Sequence, residues 1–270
     1  MKTESFTYDN YSWKPLHADI SFERDRVSVG VSTADLCGIS TPGAMDFSPG
    51  KVQLDFKLMS QREELDSALA CIANKKGLIV GKFDFDGNVT AKARHEEVLK
   101  SLKGNLKLDA DGGRIYRWGL LAKIFAILNV TEVFSGRLPD LTKEGFAYDS
   151  VTAQAEFQGD KLVLKEVVID SPSMEMACLG DIDLVNKKLD LKILVAPLKT
   201  VDSVVKKIPL VNHVLGGTLV SIPIKVEGDW GNPTVTPLSP SAVGSGLLGI
   251  MKRTLELPFK IIEPLAPVGK

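Results

Sequence analysis

Lys188-Leu189-Asp190-Leu191-Lys192-Ile193-Leu194-Val195-Ala196 decides the fold. In an extended chain Leu189, Leu191, Ile193 and Val195 fall on one side, and Lys188, Asp190 and Lys192 on the other. One face is greasy and one is wet, the signature of a strand in an antiparallel sheet with one covered face.

The same alternation surrounds this stretch. Gly145 to Phe157, Lys161 to Asp170 and Met174 to Leu184 precede it as strands, separated by Gln158-Gly159-Asp160, Ser171-Pro172-Ser173 and Val185-Asn186-Lys187. Ser221 to Gly228 follows, with Ile222, Ile224 and Val226 on one side; Pro223 on the other predicts an edge or a bulge. Upstream, Ala18 to Glu23 turns at Arg24-Asp25 and returns as Val27, Val29 and Val31. Similar units are Val52 to Leu58, Leu78 to Phe85 with a turn at Asp86-Gly87-Asn88, and Leu106 to Tyr116 through Asp111-Gly112-Gly113. Such reuse predicts a meander rather than a crossover fold.

Helices are few. Gln61 to Asn74 follows Ser60, with Glu63 completing a capping box and Leu65, Ala68, Leu69 and Ile72 on one face, and reads as a covering helix. His95 to Leu102 is a shorter candidate, Trp118 to Leu128 a strongly apolar one, and Val201 to Val214 starts as a helix that Pro209 interrupts. The fold class is therefore mainly β with a few helices (α+β).

The tail differs in kind. Leu247, Leu248, Ile250, Met251, Leu255, Leu257, Phe259, Ile261 and Ile262 are interspersed with Lys252, Arg253 and Lys260. An interfacial amphipathic segment has this composition, and so has a terminal helix packed on the sheet.

Composition excludes several functions. The 270 residues carry 33 Lys+Arg against 34 Asp+Glu, a net charge of −1, with no basic block of the kind that neutralises nucleic-acid phosphates. The apolar stretch from Trp118 to Val130 is shorter than the ~20 residues a spanning helix needs and contains Lys123. Met1 to Trp13 has no basic start followed by an apolar run, so no targeting segment is expected there. Because Phe6, Tyr8, Tyr11 and Trp13 already read as strand, the chain is expected to be a piece of something longer.

Nothing in the sequence assembles a catalytic or metal constellation. His17, His95 and His213 are isolated, so no metal and no cofactor are expected. Gly244-Ser245-Gly246 lacks the third glycine and the preceding strand of a phosphate cradle. Asp84/Asp86 and Asp181/Asp183 are paired carboxylates, but beside turns such pairs belong to a solvated face, so no enzyme is expected. Cys37 and Cys71 either bridge a loop to the covering helix or, with Cys178, are three small buried thiols.

From Arg114 to Thr236 the chain resembles the C-terminal region of AsmA-like proteins, the bacterial envelope family that includes TamB and YhdP. The resemblance rests on an ordered series: Gly113-Arg114-Ile115-Tyr116, Leu120-Leu121-Ala122-Lys123-Ile124, Gly145-Phe146-Ala147-Tyr148-Asp149, Ser171-Pro172-Ser173-Met174 and Gly180-Asp181-Ile182-Asp183-Leu184. It continues through Lys188-Leu189-Asp190-Leu191, Val195-Ala196-Pro197-Leu198, Ile222-Pro223-Ile224 and Val226-Glu227-Gly228-Asp229-Trp230-Gly231-Asn232-Pro233. Residues 1–112 then form an N-terminal sheet segment with its covering helix, 113–238 the AsmA-like region, and 239–270 an apolar and basic tail.

The resemblance implies a long twisted antiparallel meander curled into an apolar groove, covered or capped by helices, that conducts phospholipid between inner and outer membrane. The location it implies is the periplasm, with longer members anchored in the inner membrane; no such anchor and no signal peptide are expected in this chain. The residues expected to face lipid are Leu162, Leu164, Leu189, Leu191, Ile193, Val195, Ile222, Ile224 and Val226. Those expected to meet a membrane surface or an envelope partner are Leu247, Leu248, Ile250, Met251, Lys252, Arg253, Leu255, Phe259 and Ile262. The alternative is a non-catalytic assembly or docking module with a closed β-rich core.

Overall fold

The computed structural model describes residues 1–116, 119–128, 144–197, 219–254 and 259–261. Its strands are β1 (Lys2–Thr3), β2 (Phe6–Tyr8), β3 (Tyr11–Glu23), β4 (Arg26–Leu36), β5 (Ile39–Ser40), β6 (Gly43–Ser48), β7 (Lys51–Glu64) and β8 (Ile79–Ala93). They continue as β9 (Lys103–Ile115), β10 (Phe146–Gln158), β11 (Lys161–Asp170), β12 (Met174–Asp183), β13 (Lys188–Pro197), β14 (Leu219–Asp229), β15 (Thr234–Pro237) and β16 (Phe259–Ile261). The helices are α1 (Leu65–Ala73), α2 (Gly119–Ile127) and α3 (Ser245–Thr254).

All sixteen strands belong to one sheet, and from β7 to β15 each pairs antiparallel with the next in sequence. The predicted meander is the fold. It continues on the other side of β7, where β5 and β6 share the position next to β4, and β4 pairs with β3. The short β1 and β2 both pair with β3, and β16 returns to lie parallel to β14. The boundary expected at 112/113 falls inside β9, so the first two segments share one sheet.

The register makes the two faces continuous. Phe85, Leu108, Ala153, Val167, Cys178, Ile193 and Ile224 face one another in turn from β8 to β14. A second row runs Leu58, Gly87, Leu106, Ala155, Leu164, Gly180, Leu191, Val226 and Val235. These rows lie on what we call the inner face. The outer face carries the charges, among them the Lys161–Asp181, Lys165–Glu156, Lys107–Asp109 and Lys225–Glu227 pairs. At such exposure each pair contributes about 0–1 kcal/mol, so they keep the face wet more than they hold the fold.

Bulges adjust which residues reach the inner face. In β11 the three-residue interval from Leu164 to Val167 spans the two-residue interval from Gly180 to Cys178, so one residue is extra. Before the bulge the even residues Leu162 and Leu164 face inward. After it the odd residues Val167 and Ile169 do, and Val168 turns outward.

Several local expectations are corrected. The capping box at Ser60 and Glu63 does not form: β7 runs on to Glu64 through a bulge at Arg62, whose φ is 51° and whose N–H is accepted by Asp84, and α1 begins only at Leu65. The pull of that ladder outweighs the helical pattern of residues 61–64. Asp86-Gly87-Asn88 is not a turn but part of β8. There Gly87 lets the neighbouring strand approach, since a Cβ would sit 2.7 Å from the Leu106 side chain and 2.8 Å from the Asn105 carbonyl oxygen. Asp111-Gly112-Gly113 likewise lies within β9. Residues 95–101 form two 3₁₀ turns rather than an α-helix. Pro223 does not mark an edge, because β14 is flanked by β13 and β15. The Pro223 carbonyl accepts from Leu238 N–H beyond β15, so the missing N–H points to the side where that ladder has already ended. The expected Val201–Val214 helix, Trp118 and His213 lie outside the described residues.

The two faces have separate covers. On the inner face α1 contributes Leu65 and Ala68, and α2 contributes Leu121, Ile124 and Phe125, to one core with Phe83, Phe146, Tyr148, Met176 and Ile193. Phe125 and Phe146 meet edge to face at 5.7 Å between centroids. On the outer face α3 buries Leu247, Ile250 and Met251 against Val168, Ala177, Leu194 and Ala196. A disulfide joins Cys37 to Cys71, with Cα atoms 5.6 Å apart, and ties α1 to the turn between β4 and β5. Closing the 34-residue interval stabilises the fold by roughly 3 to 4 kcal/mol on the chain-entropy account.

Candidate functional site

The inner face is covered unevenly. At the β3 end Phe22 is 77% and Ile20 41% exposed, although both point the same way as the half-buried Val27, Val29, Met45 and Leu54. Toward β13 and β14 the face is buried. An apolar trough therefore starts open and passes under α2.

Beneath α2 lies a cavity of about 670 Å³. Its floor is Leu164, Val167 and Ile169 of β11, Met176, Cys178 and Ile182 of β12, and Leu189, Leu191 and Ile193 of β13. Leu120, Leu121 and Ile124 of α2 form the facing wall, and Lys75, Leu78 and the β14–β15 turn at Trp230-Gly231-Asn232-Pro233 complete the boundary. The Lys123 ammonium fixes α2 to that turn by donating to Asn232 Oδ1 and to the Pro233 carbonyl oxygen, each at 2.7 Å. Lys187 stands 5.9 Å from the Trp230 ring centroid at the same end.

A buried tyrosine belongs to the same apolar core. The Tyr148 hydroxyl donates to the Val80 carbonyl oxygen at 2.8 Å, and burial, aided by the nearby Asp111 carboxylate, raises its pKa. The ring lies over Gly113, where a Cβ would come within 1.9 Å of the Val80 oxygen and 2.4 Å of Tyr148 Oη, so only glycine fits. Cys178 is the free thiol, and burial pushes its pKa up to about 12. Such a thiol is almost entirely protonated at neutral pH and is a wall, not a nucleophile.

The predicted lipid-facing residues share the inner face, with different surroundings. Leu164, Leu189, Leu191 and Ile193 line the cavity. Val195, Ile222, Ile224 and Val226 are buried in the core beside it and offer no open surface, because the same apolar cluster takes in α2. Leu162 is half-buried and lies outside the cavity lining. Met176, Cys178 and Ile182 escaped the sequence reading, although their period-two spacing on β12 was visible. Val167 and Ile169 escaped it because the bulge breaks the alternation.

The tail is corrected in part. Leu247, Ile250 and Met251 are core rather than a membrane-facing surface, Leu248 is half-buried, and Lys252 and Arg253 are exposed, Arg253 paired with Glu166 at 2.7 Å. The packed-helix alternative holds for this stretch. Phe259 belongs to β16, while Leu255 and Ile262 lie outside the described residues.

Among the described residues no group of His, Cys, Asp and Glu could hold a metal, and no helix is long and apolar enough to cross a membrane. The carboxylate pairs stand apart from the cavity: Asp84 accepts from Arg62 N–H, and Asp183 from the N–H groups of Val185 and Asn186.

A long antiparallel meander with one charged face and one apolar face, roofed in part by a helix, defines a β-sheet groove protein. The family model of the YhdP protein matches residues 10–235, and the chain belongs to that bacterial envelope family. The match takes in most of the N-terminal half, where individual sequence signals were weak. No curated protein and no solved structure matches the chain.

Proposed function

We propose that the chain shields the acyl chains of phospholipid in its apolar trough and conducts lipid between the inner and outer membranes, in the periplasm and without catalysis. The observation that carries this reading is the apolar inner face, crossed by in-register rows from β7 to β15, exposed on β3 at Ile20 and Phe22 and hollow beneath α2. A 16-carbon chain leaving a bilayer exposes about 0.8 kcal/mol per methylene, roughly 12 kcal/mol in all, which a continuous apolar path avoids. Neighbouring strands are about 4.8 Å apart, so steps along the row from Phe85 to Ile224 meet one apolar side chain after another. The partners of this reading are phospholipid and the membrane surfaces it joins.

Native mass spectrometry with lipid extraction on the purified chain tests it. Stoichiometric co-purifying phospholipid is the expected result. A mass that stays free of lipid after incubation with liposomes overturns it and leaves a docking module with a closed core.

A further inference from the structure

The two ends of the sheet are finished differently. At one end β15 is four residues long, follows Pro233 and closes on Pro237, a short edge of the kind that resists further pairing. At the other end β3 is thirteen residues long, and the segments that cover its outer side reach only as far as Ala18. The Ala18 N–H donates to the Met1 carbonyl oxygen at 2.9 Å, and the Met1 ammonium donates to the Ala18 carbonyl oxygen. Backbone groups alternate sides along a strand, and β3 has no register shift from Ala18 to Glu23. The N–H and C=O groups of Ile20 and Phe22 therefore point to the same side as those of Ala18. Among the described residues no strand lies there.

The outer face of this open edge is acidic. Asp19 and Glu23 flank Ser21, and Arg26, opposite Glu23 on β4, is held by Asp46 at 2.8 Å. Among the described residues neither Asp19 nor Glu23 has an ion-pair partner. With Ile20 and Phe22 at the hydrogen-bonding positions, Asp19, Ser21 and Glu23 fall where an added strand brings its side chains closest. A second copy fits poorly: the antiparallel register that pairs Ile20 with Phe22 of the other copy sets Asp19 opposite Glu23, and like charges directly opposite destabilise a ladder. A strand with lysine or arginine at those two places meets each acid with a base.

We propose that Asp19–Glu23 is a strand-addition site for a partner protein. The partner's segment lies antiparallel to β3, its apolar residues continue the inner face beside Ile20 and Phe22, and its basic residues face Asp19 and Glu23. The inference stands on the edge itself, without the lipid reading; where both hold, the added strand lengthens the trough.

A capped, fluorophore-labelled peptide with the core Lys-Val-Thr-Val-Lys, titrated with the full chain and followed by anisotropy, tests the site. The expected result is saturable binding at one peptide per chain, weakening as salt is raised. Ile20→Pro removes a donor from the open side and leaves the β3–β4 ladder intact, so it should keep Tm and weaken the peptide about tenfold. Asp19→Lys combined with Glu23→Lys keeps every backbone group and should turn the preference toward a Glu-Val-Thr-Val-Glu core; this variant decides the matter if Ile20→Pro does not fold. Absence of saturable binding, affinity unchanged in a folded Ile20→Pro protein, or a preference that the charge reversal does not move overturns the site. Light scattering addresses the other occupant: a monomer is expected, and a dimer that Ile20→Pro dissociates overturns the partner assignment in favour of a second copy. Lipid loading is read separately by native mass spectrometry, so the strand site and the groove reading fail independently.

Discussion

Cys178 on β12 stands directly opposite Ile193 on β13, and both side chains line the cavity beneath α2. Two strands thus present a thiol and a branched aliphatic side by side to the same empty volume, while Leu194, the next residue, is fully buried under α3 on the opposite face. Through this part of the sheet successive residues serve the trough and the outer cover in turn.

That arrangement predicts how Ile193 responds to substitution. Ile193→Ala removes a buried side chain next to space that already exists, so the loss should lie at the low end of the core range, about 2 kcal/mol in urea unfolding. Ile193→Asp places a carboxylate in the same apolar volume and should cost more than Ile193→Ala and abolish lipid loading in whatever fraction folds. An Asp variant that stays folded and loads lipid normally would contradict the placement of Ile193 on the trough.

The strands and their faces were legible in the sequence because period-two alternation survives wherever a strand is regular, as from Leu189 to Val195. What was not legible came from places where pairing overrode local pattern. The β11 bulge shifts inward facing from Leu164 to Val167, and no residue in Leu162–Asp170 announces it. The segment Gln61–Glu64 has a helical pattern, yet its backbone is claimed by the ladder to β8. Asp86-Gly87-Asn88 has turn composition, yet the glycine serves close approach between strands. Burial of α3 on the outer face was equally hidden: an amphipathic helix has the same sequence whether it meets a bilayer or Leu194.

The Cys37–Cys71 bridge ties α1 to the β4–β5 turn, so its removal should act on that region first. The double variant Cys37→Ser with Cys71→Ser is expected to lose roughly 3 to 4 kcal/mol, with an equal loss on reducing the native chain. Thermal unfolding with and without dithiothreitol checks both. Hydrogen exchange should show the earliest loss of protection in residues 65–73, whose apolar side rests on Phe83 and Ile39.

If α3 is structural cover, its two faces should behave oppositely. Leu247→Ala deletes a fully buried side chain between Val168, Ala177 and Leu194 and should cost about 2 to 5 kcal/mol. Lys252→Glu alters an exposed position and should leave unfolding within about 0.5 kcal/mol of the parent. Liposome flotation of the two proteins separates the remaining role: Lys252→Glu weakens adsorption to anionic vesicles if the exposed side of α3 touches membrane. Equal destabilisation by both changes would mean the helix is packed differently from the structure described.

Glu175 ties stability to pH. It lies on β12 opposite Asp170, is only 5% exposed and adjoins the C-terminal end of α3. Burial raises its pKa; a hydrogen bond with Thr254 acts against the rise, and the Asp170 carboxylate adds to it. A carboxyl with a raised pKa binds its proton more tightly folded than unfolded, so stability declines as pH rises between the two values. The contribution is whole below the unfolded-state pKa and is lost as pH climbs through the folded one. Glu175→Gln keeps the shape and cannot ionise, so it should raise Tm relative to the parent at neutral pH and give no such advantage at pH 4. Melting curves across pH 4 to 8 read the difference directly; a constant gap between the two proteins would show that Glu175 is held as a carboxylate throughout and that its burial is offset by stronger partners than Thr254.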